Sequence, residues 1–296
     1  GAQAPPATLS ENILSGLLRQ QLGFQGLIVT DAMNMLAIQQ GERLGKEAVR
    51  AVNAGADLVL LTREVIDHER VYNALIRAAR EGGLDRDAAS ASARRMGALK
   101  AWLAQAPAQP DLSVVGCEEH QAVALEIGRR SITRVRDRQQ ILPLRLGPEQ
   151  RIAVVIPRAE NLTPADTSAY TKPVLAAMLR ERHPNLEEFE IPFAPNDNEI
   201  AAVVDRLREY DQIVIGTLNA YHQPGRRALV REALQCGIPT VVVALRLPYD
   251  LAAFPEAPAY ICTYGFQEPS MQALVEALFG DIEFQGRLPV AIPGLS

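Results

Sequence analysis

Short apolar runs alternate along the chain with longer segments whose apolar positions recur every three or four residues. The runs predict strands at residues 27–30, 56–61, 131–136, 152–156, 212–216, 240–245 and 260–263. The helical spacing is clearest at residues 45–54, 66–80, 86–103 and 118–130. Apolar strands separated by helices are typical of parallel sheets whose faces are covered by helices. We therefore predict an α/β fold.

Residues typical of helix ends flank several of these segments. Thr8 with Glu11, and Asn196 with Glu199, have the spacing of a capping box, in which each side chain bonds the other residue's backbone N–H. Gly55 follows a predicted helix at the position where a left-handed glycine ends one. These residues predict where two helices begin and where a third ends.

A proline-containing segment divides the chain. Residues 105–111, QAPAQPD, have two prolines and no periodic apolar face, which is typical of a linker. We predict a first domain over residues 1–104 and a second over residues 112–296.

Composition narrows the classes of function. The 296 residues include 30 Lys and Arg against 35 Asp and Glu, so the net charge is −5 and gives no electrostatic basis for binding nucleic acid or an anionic bilayer. The apolar runs are far shorter than the ~20 residues of a membrane-spanning helix. The three cysteines and four histidines show no zinc-ligand spacing. We expect no metal, no cofactor, no nucleic-acid partner and no membrane partner.

The segment 22–38, LGFQGLIVTDAMNMLAI, places a carboxylate directly after an apolar strand. Asp31 follows the predicted strand 27–30, and the carboxyl ends of parallel strands are where barrels and open sheets form their active sites. An aspartate at the start of a loop also stabilises turns. The residues themselves leave both roles open.

GLIVTDAMNM, residues 26–35, resembles the nucleophile segment of the family-three glycoside hydrolases. The TDAMNM portion is most similar to the bacterial β-N-acetylhexosaminidase type rather than to the SDW-type segment of many β-glucosidases. Five other segments are similar to parts of the family in the same order. Residues 6–26 resemble the helix before the nucleophile strand, residues 45–61 the last strand unit of the barrel, and residues 131–144 the entry to the second domain. Residues 241–255 and 286–294 resemble the final strands of that domain.

The resemblance implies the last two βα units of a TIM-type barrel, followed by an open, mostly parallel α/β/α sandwich. A complete (β/α)8 barrel needs about 250 residues, and only residues 1–104 precede the linker. The first six residues have neither an initiator Met nor a leader pattern. We expect a C-terminal fragment of a longer protein, and its localisation stays open.

The resemblance also implies a retaining, exo-acting β-glycosidase for terminal β-N-acetylglucosaminides, with Asp31 as the nucleophile. Met33 and Met35 would contact the sugar, although methionines on an apolar segment also fill cores. A retaining enzyme needs a second group that gives and takes a proton. The family's His–Asp loop and its KHFPG-type segment do not occur in the sequence. We therefore expect the isolated chain to be inactive, and to pair with a missing N-terminal barrel segment or with itself.

A polar loop follows the predicted strand 212–216. It contains Asn219, Tyr221 and His222; the resemblance allows this loop to face the sugar site, and a solvated loop is the alternative. Arg226 and Arg227 come next, and we expect them to be solvent-exposed because no glycine-rich phosphate loop precedes them.

Other chemistry is less favoured. The sequence has no GxSxG nucleophile elbow, and Cys236 and Cys262 adjoin apolar elements, which predicts buried, inert thiols. Glu187, Glu188 and Glu190 alternate with apolar residues, as on the solvated face of an edge strand.

A second class of function stays open beside the glycosidase. In it the chain is a non-catalytic sugar-binding or oligomerisation module, and Asp31 can be replaced without loss. A nucleotide-binding domain is disfavoured, because no phosphate-binding glycine motif follows the strand 152–156.

Overall fold

The computed structural model describes residues 4–35, 38, 43–161, 165–171 and 174–294. The chain divides into two compact units, Gly1–Pro110 and Asp111–Ser296. Each unit has its own sheet, of two and six strands respectively. The predicted α/β class is confirmed.

The described residues of the first unit form two parallel strands and three α-helices. In chain order, its elements are a 3-10 turn Ala7–Leu9, a π-helix Asn12–Gln21, β1 Val29–Ala32, α1 Leu44–Ala54, β2 Leu58–Leu60, α2 Val65–Glu81 and α3 Arg86–Leu103. Val29 lies beside Leu58 in the strand pair. Parallel strands need a crossover, and α1 supplies it.

The ends of these helices follow their sequence signals. Gly55 has a φ of 118°, a left-handed conformation that ends α1. Asp85 caps α3 by accepting hydrogen bonds from the N–H groups of Asp87 and Ala88. The core of the unit forms where buried residues of α1, such as Leu44 and Ala48, meet other apolar side chains.

The predicted capping box of Thr8 and Glu11 is wrong. Thr8 lies in the 3-10 turn. The helix that follows begins at Asn12, and the side chain of its N-cap residue, Glu11, makes no capping hydrogen bond. A π-helix bonds residue i to residue i+5, which changes the faces on which its residues lie. Leu14 is buried and Leu18 packs beside it, whereas other apolar residues of this segment are exposed.

Asp57 fixes the amino end of β2. Its side chain is 1% exposed and accepts hydrogen bonds from the backbone N–H of Ile28 at 2.9 Å and from Nη2 of Arg95 at 2.5 Å. Arg19 also donates to it. Burial raises the pKa of Asp57, but the hydrogen bonds from Arg95 and Ile28 outweigh burial, and the net pKa is lowered. The carboxylate therefore joins the π-helix, the start of the strand pair and α3.

The second unit is an α/β/α sandwich. Its elements are α4 Glu118–Ser131, β3 Thr133–Asp137, β4 Ile152–Pro157, α5 Leu175–Arg182, β5 Leu186–Ile191, α6 Asp197–Leu207, β6 Gln212–Thr217, α7 Pro224–Gln235, β7 Thr240–Ala244, β8 Ala259–Cys262 and α8 Glu268–Phe279, with short 3-10 turns in the connections. The strand order is β3-β8-β7-β6-β4-β5. β3 runs antiparallel to β8, and the other pairs are parallel.

The central strands are buried on both faces, which is why they read as continuous apolar runs. Alternate residues enter two separate cores. Val241 and Val243 pack on one face with residues of α5 and α8. Val242 and Ala244 pack on the other face with residues of α6 and α7.

In this unit the predicted capping box is confirmed, and the predicted solvated face of the edge strand is confirmed in part. Asn196 and Glu199 form the predicted capping box at the start of α6. Glu188 and Glu190 are exposed on the edge strand β5. Glu187, also expected to be solvated, is instead half-buried and accepts hydrogen bonds from Tyr210 and Arg206, because it shares a face with Phe189.

The order of the strands reverses at β4. From β4 the chain passes to β5 on one side, and it later returns to β6 on the other side. In open α/β sheets, ligands bind outside the carboxyl ends of the strands near such a reversal. The loops after β4, β6 and β7 lie at this edge.

Candidate functional site

Asp31 lies in the last part of β1. Val29 and Asp31 are exposed and Thr30, between them, is buried, as the alternation of a strand requires. The Oδ1 atom of Asp31 accepts a hydrogen bond of 2.7 Å from the N–H of Ala32. Asp31 therefore presents an accessible carboxylate at the carboxyl end of a parallel strand.

The face of the strand pair that carries Asp31 is apolar and uncovered. Val29 is 48% exposed, and Leu58 and Leu60 of β2 are 40% and 45% exposed. Parallel sheets are ordinarily covered on both faces, and a two-stranded sheet is marginal without further packing. An exposed apolar sheet face of this kind is typical of a surface that packs against another element.

The loops that follow β1 and β2 are joined beside Asp31. Asn34 donates to Thr62 Oγ1 at 2.6 Å and to Asp67 Oδ2 at 3.1 Å, and its Oδ1 accepts from the Thr62 N–H at 3.0 Å. Leu60 N–H also donates to Thr30 Oγ1 at 2.9 Å. Sequence reasoning missed Asn34; the signal was an amide three residues after a candidate nucleophile.

The two methionines near Asp31 have different environments. Met33 is 1% exposed and belongs to the core of the first unit, so its side chain fills the core, which is the alternative that the sequence offered. Met35 is 50% exposed and lies beyond the end of β1. Of this pair, Met35 is the one with an accessible side chain.

Asn219 and His222 lie together in the second unit, in the loop after β6. Asn219 has a left-handed backbone with a φ of 56°. The rings of Tyr221 and His222 pack edge to face, with centroids 4.9 Å apart. A cavity of about 110 Å³ is lined by Asn219, Tyr221 and His222 from this loop and by Leu247, Tyr249 and Asp250 after β7.

Asp250, which sequence reasoning missed, is 1% exposed. Its Oδ1 accepts a hydrogen bond of 2.9 Å from the Tyr221 N–H. Burial raises its pKa, against the opposing contributions of the Tyr221 N–H, of Thr217, of the Ala220 backbone and of Arg226. The sequence signal for Asp250 was an aspartate a few residues after the apolar run that forms β7.

Arg226 is 2% exposed, so the expectation that it faces solvent is wrong. α7 begins at Pro224, and Arg226 shares the buried face of that helix with Leu229 and Ala233 at helical spacing. Its Nη1 donates to the Leu218 carbonyl, and its guanidinium carbon lies 3.7 Å from the centroid of the Phe193 ring. Burial lowers its pKa to about 10.

Cys236 and Cys262 show no sign of nucleophilic activation. Cys262 is buried, as predicted, and burial raises its pKa to about 12. Cys236 is half-buried, and burial raises its pKa as well. A thiol with a raised pKa is protonated at neutral pH and is a weak nucleophile. Within the described ranges, no helix has the length and apolarity to cross a bilayer.

Comparison with protein families finds two matches in succession. Residues 1–99 match the glycosyl hydrolase family 3 N terminal domain, and residues 135–295 match the glycosyl hydrolase family 3 C-terminal domain. One model matches within each of the two compact units.

Individual relatives agree with this result. The chain is 26% identical to β-hexosaminidase A of Pseudoalteromonas piscicida, over 97% of this chain and 53% of that protein. It is 27% identical to the β-N-acetylglucosaminidase/β-glucosidase of Cellulomonas fimi, over 96% of this chain and 52% of that protein. The chain therefore spans about half the length of these curated relatives.

Among solved structures, the chain is similar to a glycoside hydrolase family 3 β-N-acetylglucosaminidase from Paenibacillus sp. str. FPU-7. The TM-score is 0.87 at 30% identity, over 96% of this chain and 54% of that one.

Proposed function

Since the chain belongs to glycosyl hydrolase family 3, we propose that it supplies the nucleophile, Asp31, of a retaining β-glycosidase that acts on terminal β-N-acetylglucosaminides. The observation that carries the proposal is the position of Asp31: an accessible carboxylate at the carboxyl end of β1, on a parallel strand pair. The sugar assignment is supported by the names of the relatives, two of which are a β-hexosaminidase and a β-N-acetylglucosaminidase.

In the proposed reaction, an Asp31 oxygen attacks the anomeric carbon and the bond from that carbon to the leaving oxygen breaks. The leaving oxygen takes a proton from a second group. Water then attacks the covalent glycosyl-enzyme, gives its proton to the same group and releases Asp31, so the configuration is retained. In retaining enzymes, the proton-transferring group and the nucleophile lie about 5–5.5 Å apart.

The first unit supports a requirement for a partner. The uncovered apolar face beside Asp31 and the two strand edges are surfaces on which further strands add. We propose that an N-terminal barrel segment covers this face and contributes the proton-transferring group. Without it, the chain is expected to be inactive and to self-associate through the same face.

The alternative is a non-catalytic module for sugar binding or oligomerisation. The cavity beside Asp250 in the second unit favours it, since a binding module does not need Asp31. The two functions differ in their dependence on this residue.

Release of chromophore from an aryl N-acetyl-β-glucosaminide tests the proposal. The chain is assayed alone and together with the N-terminal barrel segment of the Paenibacillus enzyme, and an aryl β-glucoside is run in parallel to rank the sugars. We expect no hydrolysis by the chain alone and hydrolysis by the mixture.

Two isosteric variants make that assay specific. Asp31→Asn should abolish the activity of the mixture. Asp87→Asn changes another exposed aspartate of the same unit, in the first turn of α3, and should leave the activity unchanged. Activity that survives Asp31→Asn would contradict the proposed nucleophile, and hydrolysis by the chain alone would contradict the required partner.

A further inference from the structure

The cavity of the second unit lies at a position where open α/β sheets bind ligands. It is formed by the loops after β6 and β7, at the carboxyl edge of the sheet and next to the strand-order reversal at β4. Tyr221 and Leu247 on its rim are 42% and 43% exposed, so the cavity opens to the surface.

Two acceptors and two donors of this cluster have unused hydrogen-bonding capacity. Among the described residues, the buried oxygens Oδ2 of Asp250 and Oδ1 of Asn219 have no hydrogen-bond partner, and neither do the buried nitrogens Nε and Nη2 of Arg226. Asp250 is held in place through its other oxygen by the Tyr221 N–H. Buried polar groups are nearly always paired, so these atoms indicate an occupant that both donates and accepts hydrogen bonds.

The charges of Asp250 and Arg226 indicate which kind of hydrogen-bonding group can bind here. The Arg226 guanidinium is buried nearby and interacts electrostatically with Asp250, so the negative charge of the carboxylate is already partly balanced. A second cation would be repelled by Arg226. A neutral hydroxyl can donate to the carboxylate and accept from the guanidinium without adding charge.

The remaining walls are mainly apolar. Tyr221, Tyr249, His222, Leu247 and Pro293 line the cavity. A few placed polar groups within apolar and aromatic walls are typical of small-molecule sites. Because a cavity of about 150 Å³ holds benzene, the present volume of about 110 Å³ accommodates a large part of one six-membered ring.

We propose that this cavity binds a sugar ring, one hydroxyl of which donates to Oδ2 of Asp250 while another reaches Oδ1 of Asn219. The site is separate from Asp31 in the sequence and does not depend on the chemistry of that residue. Only the choice of N-acetylglucosamine and glucose as probes rests on the proposed function.

Backbone amide NMR on the full chain tests the site directly. The Asp31→Asn variant is titrated with N-acetylglucosamine, and separately with glucose, so that loss of catalysis cannot be confused with loss of binding. The Tyr221 amide donates to Asp250 and serves as the reporter. We expect saturable shifts at residues 217–223 and 247–250. An absence of saturable shifts there with both sugars would overturn the proposal and leave a cavity that holds water.

Asn219→Gly removes the carboxamide while keeping the backbone, because glycine readily adopts the φ of 56°. It should weaken sugar binding about tenfold or more through the lost hydrogen bond. Gln140→Gly is the matched control: Gln140 is exposed and has a φ of 54°, but lies after β3 at the opposite edge of the sheet. It should bind as the parent does. Equal binding by the Asn219→Gly variant would overturn the proposal.

Asp250→Asn gives an independent check, with circular dichroism to establish that the variant is folded. The folded variant should lose the Tyr221 shift on adding sugar. Unchanged sugar affinity in the folded variant would overturn the role of Asp250.

Discussion

Asp57 in the first unit and Asp250 in the second have buried side chains, and the surroundings of the two carboxylates differ. Asp57 accepts hydrogen bonds from Arg19, Arg95 and a backbone N–H. Asp250 has one oxygen held by a backbone N–H, whereas the other has no partner among the described residues. The pKa of Asp57 is lowered and that of Asp250 is raised.

The positions of the two carboxylates explain the difference. Asp57 lies at the amino end of β2, where it joins three elements. Asp250 lies beyond the carboxyl end of β7, beside a cavity. A fully paired buried carboxylate stabilises the fold, whereas an incompletely paired one beside a cavity can accept a hydrogen bond from a ligand.

The largest expected effect comes from removing Asp57. Asp57→Ala leaves two arginines without their buried partner, and loss of one member of a buried ion pair costs about 3–5 kcal/mol. The free energy of unfolding of the first unit, from denaturant titration, measures this loss. A change below about 1 kcal/mol would show that the carboxylate does not stabilise the unit.

Asp250→Asn should destabilise the second unit less. The amide keeps the shape of the side chain, but it replaces an acceptor oxygen of the buried carboxyl group with an NH2 donor; the expected loss is about 1–3 kcal/mol. Asp205→Asn, at an exposed position on α6, is the matched control and should stay within about 0.5 kcal/mol. If Asp250→Asn cost as much as Asp57→Ala, the distinction between the two carboxylates would fail.

The two carboxylates should give opposite dependences of stability on pH. The folded pKa of Asp57 is below its ordinary value of 3.8, so its stabilisation is present above that pH and is lost as the pH falls through the folded pKa. The folded pKa of Asp250 is above 3.8, so its contribution is present below that pH and is lost as the pH rises through the folded pKa.

The unfolding free energies of the parent and of the two Asp→Asn variants, measured against pH, separate these contributions. The difference between parent and Asp57→Asn should shrink on acidification. The difference between parent and Asp250→Asn should shrink as the pH is raised from 3.8. The same trend for both variants would contradict the assigned pKa directions.

The smallest expected effect is that of Asn219→Gly on stability. The left-handed backbone accepts glycine without strain, and the Asn219 Oδ1 has no partner within the described part of the chain. The unfolding free energy should change by about 0.5 kcal/mol or less. A loss of more than about 1 kcal/mol would assign the carboxamide to folding rather than to binding.

Much of the second unit could be predicted from its sequence, because its central strands are buried on both faces and so read as continuous apolar runs. The strand predicted at 152–156 is observed at Ile152–Pro157, and that at 212–216 at Gln212–Thr217. The capping box at Asn196 is equally local. Such signals need no knowledge of distant residues.

Features that depend on distant contacts could not be predicted in this way. Arg226 was expected to face solvent because no glycine-rich phosphate loop precedes it. Its contacts with Phe193 and the Leu218 carbonyl come from other elements. Asp57 interrupts an apolar run, and its arginine partners are each 38 residues away. Asp31 was singled out by its place after a strand and by the family resemblance; its role stays a proposal.

Covalent trapping at Asp31 tests the central claim most directly. The chain is combined with the part of the Paenibacillus enzyme that it does not cover and is incubated with a fluorinated N-acetylglucosaminyl fluoride, which slows hydrolysis of a glycosyl-enzyme. The protein is then digested with trypsin. Mass spectrometry should find one added sugar on peptide 20–43, which contains Asp31, and none with Asp31→Asn. The assignment of Asp31 as the nucleophile would be contradicted by a different outcome: the mixture turns over the substrate, peptide 20–43 remains unmodified and another peptide carries the sugar.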